Sequence, residues 1–409
     1  MSGLPANYWR LWGASAVSNL ADGLFFIALP LLAVRLTDSP ILIAGLAIAG
    51  RLPWLVFVLV AGALADRLDR RTTMRNVQLF RVAVVALLAG LAVIGALSLP
   101  VLYVAAFVLD VGETLFDTAA QSIMPSVVDK EQLATANGRL YGVELVMNQF
   151  VGPPLGGLLI GLSVPLALGS SVVGYALAAI GLTLLVGSFR PQRTGPPRRL
   201  TSDIAEGLGY LWRHRVLRTM AFMVGGMNLA STATFAVLVL YAVSPGPMRL
   251  SEPAFGVLLA TFAIGSLLGS FVAAPLQQRF GRVRMLFLSV LIIGAGIAVP
   301  AFTTSPIVIG ASFAVSGLFI VVWNVITVSL RQRIVPDGLL GRVNAGYRLF
   351  AWGTQPIGAL LGGVIGELLG LQAVFLLGGA LGLTMLLARL VINEPAITAA
   401  EAEGRLAAA

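Results

Sequence analysis

The amino-acid sequence predicts an all-α membrane protein: twelve transmembrane helices in two parallel six-helix halves, with both termini cytoplasmic. Three observations carry this reading. Of 409 residues, 58% are hydrophobic and only 11% charged, against about 25% charged in soluble domains. Apolar stretches long enough to span a bilayer recur twelve times. Basic residues gather on alternate loops.

The first stretch, about 11–34, holds Asp22 and has no basic segment before it, so it reads as a span rather than a cleaved leader. The second, about 41–64, holds Arg51, and the third runs over about 76–98. The fourth, about 100–121, carries Asp110, Glu113 and Asp117. The fifth, about 138–161, contains Glu144, and the sixth covers about 166–189. A polar stretch then places Pro191, Gly195, Pro196 and Pro197 among arginines. Spans seven to twelve follow at about 217–243, 254–276, 285–304, 306–330, 346–367 and 371–392. The expected organisation is an amino-terminal bundle over 1–189, a cytoplasmic linker over 190–215, a carboxy-terminal bundle over 216–393 and a cytoplasmic tail over 394–409.

Twelve spans return the chain to its starting side. Of the 27 basic residues, 24 lie on or near that side, from Arg10 to Arg405. Only Arg35 and Arg249 lie on the other, and Arg51 sits within a span. The net charge of +9 is thus a topology signal facing anionic inner-leaflet lipid, with no nucleic-acid partner implied. The location is a bacterial cytoplasmic membrane, and the chain is expected to act as a monomer.

Rare residues exclude much chemistry. The single lysine, Lys130, stands in Asp129-Lys130-Glu131, so no Gly-Lys-Ser/Thr phosphate loop can form. There is no cysteine, and the single histidine, His214, lies between Arg213 and Arg215, where a solvated loop position is expected. Zinc sites and Cys/His or Ser/His nucleophiles are therefore excluded. The chain is read as a non-enzyme with no metal or cofactor, and a proton gradient is the expected energy source.

The halves repeat. Residues 133–144, LATANGRLYGVE, correspond to residues 340–351, LGRVNAGYRLFA: Leu133 to Leu340, Asn137 to Asn344, with Gly156 matching Gly363 further on. Arg67 and Arg70 correspond likewise to Arg279 and Arg282. Equivalent segments six spans apart run in the same direction, which predicts parallel halves with a site between them near the midplane.

Charges inside a bilayer cost roughly 2.5–3.5 kcal/mol each on insertion scales and mark functional positions. Asp22 and Arg51 both lie near mid-depth. Asp22 is either a proton carrier or half of a neutralising Asp22–Arg51 pair, and Arg51 could instead meet an anionic substrate. Asp110, Glu113 and Asp117, at i, i+3 and i+7, share one helical face, where three like charges cannot all stay ionised cheaply. Asp110 and Glu113 are candidates to carry a proton, or else buried hydrogen-bonded acids. Glu144 either joins that path or bridges Arg139 or Arg81.

Residues 62–71, GALADRLDRR, resemble the loop 2–3 signature of the major facilitator superfamily at Gly62, Leu64, Ala65, Asp66, Arg67, Arg70 and Arg71. Asp69 stands where the pattern has glycine. Residues 152–157, GPPLGG, resemble the span-five antiporter signature through Gly152, Pro153, Gly156 and Gly157. The Asp22-Gly23 pair, LFDTAAQSIMPSVV and LATANG are similar to the macrolide-efflux type of drug:proton antiporter. The resemblance implies the major facilitator fold and proton-coupled export of hydrophobic or amphiphilic small molecules by alternating access. Siderophore or lysophospholipid transport, or an uncoupled uniporter or flippase, are the alternatives. It further implies a conformational latch in which Asp117 pairs with Arg70 and Asp66 faces the start of span 11, near Arg331, Arg333 and Arg342. Loop 8–9 has Gln278 where loop 2–3 has Asp66, so a weaker second latch is expected. Span 4 lacks the arginine that exporters of this type often carry. Asn19, Phe26, Asn228, Trp323 and Asn324, together with Arg51, are the candidate cavity residues, with ordinary helix packing as the alternative for the first five.

Overall fold

The computed structural model describes residues 4–65, 68–129, 132–187, 189 and 200–408. Among these, twelve helices are long and apolar enough to cross a membrane, and β-structure is limited to a bridge between Val243 and Leu250. Helices satisfy their own backbone donors and acceptors, which hydrocarbon cannot do.

In chain order the first spans are α1 (Ala6–Ala33), α2 (Pro40–Ala65), α3 (Arg70–Val93) and α4 (Leu99–Ile123). Span five is composite: α5 (Leu133–Leu145), a π-helical turn over Val146–Val151, and α6 (Gly152–Leu162). Pro153 and Pro154 explain the π turn. Neither can donate to the carbonyl four residues back, and their rings crowd those carbonyls. Then come α7 (Val164–Thr183), α8 (Leu200–Arg213), α9 (Arg215–Ala242), α10 (Glu252–Phe280) and α11 (Arg282–Ala298). Last are α12 (Pro306–Ile334), α13 (Asp337–Leu369), α14 (Leu371–Thr384) and α15 (Glu394–Ala408). Only Gly370 separates α13 from α14, and its φ of +85° is a conformation that favours glycine. Side chains such as Val93, Ile307 and Leu390 are more than two-thirds exposed, as lipid-facing residues should be.

The chain forms two compact units. The first comprises Met1–Asp38, Gly45–Gly195 and Ala242–Ala260; the second comprises Ser39–Ala44, Pro196–Tyr241 and Thr261–Ala409. Each thus holds a short segment from beyond the linker. In the first, Glu252 at the start of α10 bridges Arg35 at 2.7 Å, and Pro253 packs on Gly161 of α6. In the second, Glu367 of α13 accepts from the Ser39 hydroxyl at 2.7 Å, and Pro40 packs on Gly366.

The first unit's core joins Tyr8 and Leu11 of α1, Met74 of α3, Phe116 and Ile123 of α4, and Leu182 of α7. The second unit's core takes in residues from the segments expected as linker and tail. Leu211 of α8 and Ile397 and Ala400 of α15 are packed into it, beside Met220, Leu286, Ile326 and Tyr347. Both segments therefore contribute helices to the bundle. Gly207 of α8 lies so close to the Arg342 carbonyl that a Cβ would not fit, and Glu206 bridges Arg342 at 2.7 Å. His214 is not a solvated loop residue. It joins α8 to α9, accepts from the Leu217 N–H at 3.3 Å and stacks on Tyr210. Burial holds its pKa below the ordinary histidine value, although the nearby Glu403 acts the other way.

Candidate functional site

The site is centred on an arginine absent from the expected set. Arg81 lies eleven residues beyond Arg70 on α3, roughly 16 Å of helical rise from the helix start, and its side chain is 1% exposed. Gly112 of α4 leaves it room: a Cβ there would stand 3.4 Å from Arg81 Nε. The guanidinium pairs with Asp22 of α1, NH1 to Oδ1 at 3.2 Å, and with Glu113 of α4. It lies 5.3 Å from the ring centre of Tyr175 and 5.7 Å from that of Phe116, both within cation–π range.

Tyr175 of α7 makes a second contact, donating its hydroxyl hydrogen to Asp22 Oδ1 at 2.8 Å. Ser18 reaches Asp22 Oδ2 at 3.5 Å, and Gln78 donates to the Ser18 hydroxyl at 2.7 Å. Asp22 is thus held from three sides. The Arg51 alternative is not the pair that forms; Arg51 is exposed and instead acts electrostatically on Asp110.

Asp110 and Asp117 lie within electrostatic reach of the same cation. Asp110 senses Arg51, Glu113, Arg81 and Asp22, and its Oδ2 is buried without a hydrogen-bond partner among the described residues. Asp117 senses Glu113, Glu144, Arg81 and Asp22. Arg70 is not among its partners: the two form no ion pair, and Arg70 Nε has no hydrogen-bond partner among the described residues. Asp117 lies one helical turn from Glu113, on the face turned toward Arg81. Glu144 senses Glu113, and no ion pair joins it to Arg139 or Arg81.

The glycine-proline signature abuts this cluster. A Cβ on Gly152 would come within 2.6 Å of the Cα of Gly23, the residue after Asp22. One on Gly156 would come within 2.5 Å of Ile27 Cγ2. Gly157 packs on the Glu252 carbonyl and Pro153 on Gly256. Small residues permit this backbone contact, which seats α6 against α1 beside the acid.

Of the loop 2–3 latch, Asp66, Arg67 and the surroundings of Gly62 lie outside the described residues. Arg71 donates to the Leu185 carbonyl. Asp69, at the position where the pattern has glycine, is the N-cap of α3. It accepts from Thr72 N–H at 2.9 Å and Phe189 N–H at 3.1 Å. Burial acts to raise its pKa, but these backbone bonds and Arg71 outweigh it and hold the carboxyl below its usual value. Such a group stabilises the fold above the unfolded carboxylate pKa of about 4 and loses that effect as pH falls through the lower folded value. Asp69→Ala should therefore cost about 1 kcal/mol near neutral pH. Melting curves of variant and parent should converge in acid, and an equal gap at every pH would contradict the assignment.

The cavity candidates divide. Phe26 and Asn324 are exposed. Asn19 donates to the Ser15 carbonyl at 2.9 Å, and Asn228 to the Ala351 carbonyl at 2.8 Å. Trp323 is 3% exposed and packs within the second unit's core.

Over residues 5–408 the sequence matches the transmembrane secretion effector family. The chain belongs to that family, within the major facilitator superfamily. It is accordingly a transporter and not an enzyme, a multi-pass protein of the cytoplasmic membrane. The relatives of this chain include the multidrug efflux pump Tap of Mycobacterium tuberculosis, 30% identical, covering 94% of this chain and 92% of the relative. Tap of Mycolicibacterium fortuitum is 28% identical over 91% and 92% of the two chains. Macrolide efflux protein A of Streptococcus pyogenes is 21% identical over 95% and 96%. Among solved structures, the nucleoside transporter NupG superposes with a TM-score of 0.75 at 13% identity, covering 94% of this chain and 99% of NupG. A bacterial homologue of the iron transporter ferroportin gives 0.71 at 16%, covering 94% and 100%. These two share the fold.

Proposed function

We propose that this transporter exports hydrophobic or amphiphilic small molecules, driven by proton entry, with one site exposed alternately to the two faces of the membrane. In this reading the termini and the arginine-bearing loops are cytoplasmic. The observation that carries the proposal is one buried guanidinium shared by two carboxylates from different spans. With Asp22 and Glu113 both ionised, the trio bears one negative charge in excess; one proton brings it to neutrality. Protonation also loosens one of the two links that Arg81 makes, to α1 or to α4. Proton occupancy and helix arrangement are thereby coupled, as a ligand couples to whichever state binds it better. The names of two relatives, a multidrug efflux pump and a macrolide efflux protein, support the substrate class.

The test is uptake of a fluorescent cationic amphiphile into proteoliposomes under an imposed pH gradient. Gradient-dependent accumulation, lost in Asp22→Asn and Glu113→Gln, is expected. Accumulation indifferent to the gradient would replace the proposal with an uncoupled uniporter or flippase.

A further inference from the structure

Gln278 deprives loop 8–9 of the acid that its counterpart carries at Asp66, yet one of the arginines following it is paired. Arg282, the first residue of α11, is held by two carboxylates of the terminal helix α15: Nε to Glu394 Oε2 at 3.0 Å, and NH1 to Glu401 Oε1 at 2.6 Å. Glu401 also lies 3.8 Å from Arg333 in the last turn of α12. It is 8% exposed, the most buried acid in the second unit among the described residues.

The rest of α15 is fitted to the same surface. Asn393 caps it, accepting from the Ala396 N–H at 2.9 Å. Ile392, Ile397 and Ala400 are buried with Leu211, Ile334 and Val335. Gly404 sits against the carbonyl of Ile334 so closely that a Cβ would not fit. Glu403 acts electrostatically on His214 and Tyr210, at the junction of α8 and α9. Because successive spans alternate in direction, the α8–α9, α10–α11 and α12–α13 junctions all lie on the side of the chain termini. α15 pairs with or packs on the last two and acts electrostatically on the first.

We infer that α15 is a built-in clamp: through Glu394 and Glu401 it supplies the acid missing from loop 8–9 and ties three junctions of the second unit together. A carboxylate this buried is stabilising only while its cations are in place, and removing one partner leaves an uncompensated charge. The clamp therefore sets how readily that end of the unit loosens, and transport, which requires the junctions to move together, depends on it.

The chain has no cysteine, so a single Ile334→Cys replacement reports on the clamp through its rate of modification by a soluble maleimide. The experiment uses the full-length protein in membranes, in the Ile334→Cys background. With α15 intact the thiol should be protected. In Glu394→Gln/Glu401→Gln, labelling should rise at least about tenfold, and efflux of a fluorescent amphiphile should fall several-fold. In a Glu394→Gln background, which removes the like charge beside position 282, the reversed pair Arg282→Glu/Glu401→Arg should recover most of both values, which a helix held only by apolar packing would not do. Unchanged labelling in the double Gln variant overturns the clamp. So does a reversed pair that folds, judged by its melting transition, yet labels and transports no better than Glu401→Arg alone in the same background.

Discussion

Arg81→Met is expected to be among the most damaging single substitutions in the chain. It leaves Asp22 and Glu113 facing each other in a buried site with no cation. Breaking a buried ion pair from one side costs about 3–5 kcal/mol, because the remaining charge keeps its desolvation penalty. Arg81→Lys should recover only part of this, since an ammonium offers one point of charge where the planar guanidinium reaches two carboxylates at once. The decisive comparison is the triple replacement Arg81→Met, Asp22→Asn, Glu113→Gln. With all three charges gone, nothing is left uncompensated, so the melting temperature should return close to that of the parent. Transport should stay absent. The three effects are thus grossly non-additive, as expected of residues in direct contact. Melting curves of purified protein, read beside efflux, separate the two roles. An Arg81→Met variant that melts like the parent would show that the cluster is not the electrostatic centre described above.

The second large effect is expected at Gly152→Val. Even an alanine Cβ would lie 2.6 Å from the Cα of Gly23 and 2.9 Å from the Met147 carbonyl. These are backbone atoms that cannot rotate away. Overpacking of this kind costs about 1–3 kcal/mol or more. Here the relief is directional: α6 must withdraw from α1, taking with it the packing beside Asp22. Loss of efflux should therefore exceed the loss of folded protein in the membrane. Gly142→Ala is the control. Open space surrounds Gly142, so alanine there should be neutral or should stabilise by about 0.5–1 kcal/mol. If Gly152→Val transports normally, the close seating of the two helices has no part in the cycle.

Which features could be read from the sequence follows from what each depends on. Spans were legible because length and apolarity are local properties. The glycine-proline segment was legible through its resemblance to the span-five antiporter signature, in the span where that signature is expected. Asp22 and Glu113 stood out as acids in apolar surroundings. Arg81 did not, because it lies near the polar start of span three and was counted among the loop arginines. Its burial is set by α7 and α4, far away in sequence, through Tyr175 and the gap at Gly112. Asp69 looked like a departure from a motif, and only the N–H groups of Thr72 and Phe189 show it to be a cap. Trp323 and Asn228 looked suited to a cavity because they are polar or aromatic within a span. Both are satisfied inside their own bundle. α8 and α15 were obscured because their apolar faces are short and their acids pair with arginines at a distance.

The way segments are exchanged across the linker bears on how the protein can be divided. Neither stretch of chain flanking residues 190–199 contains a complete compact unit. The first lacks Glu252, the partner of Arg35, and the second lacks the Ser39 that Glu367 binds. Genes split at that point should yield two fragments that are short-lived when made singly and recover activity when made together. The first turns of α2 and α10 would then act as the mutual recognition elements of a two-chain transporter.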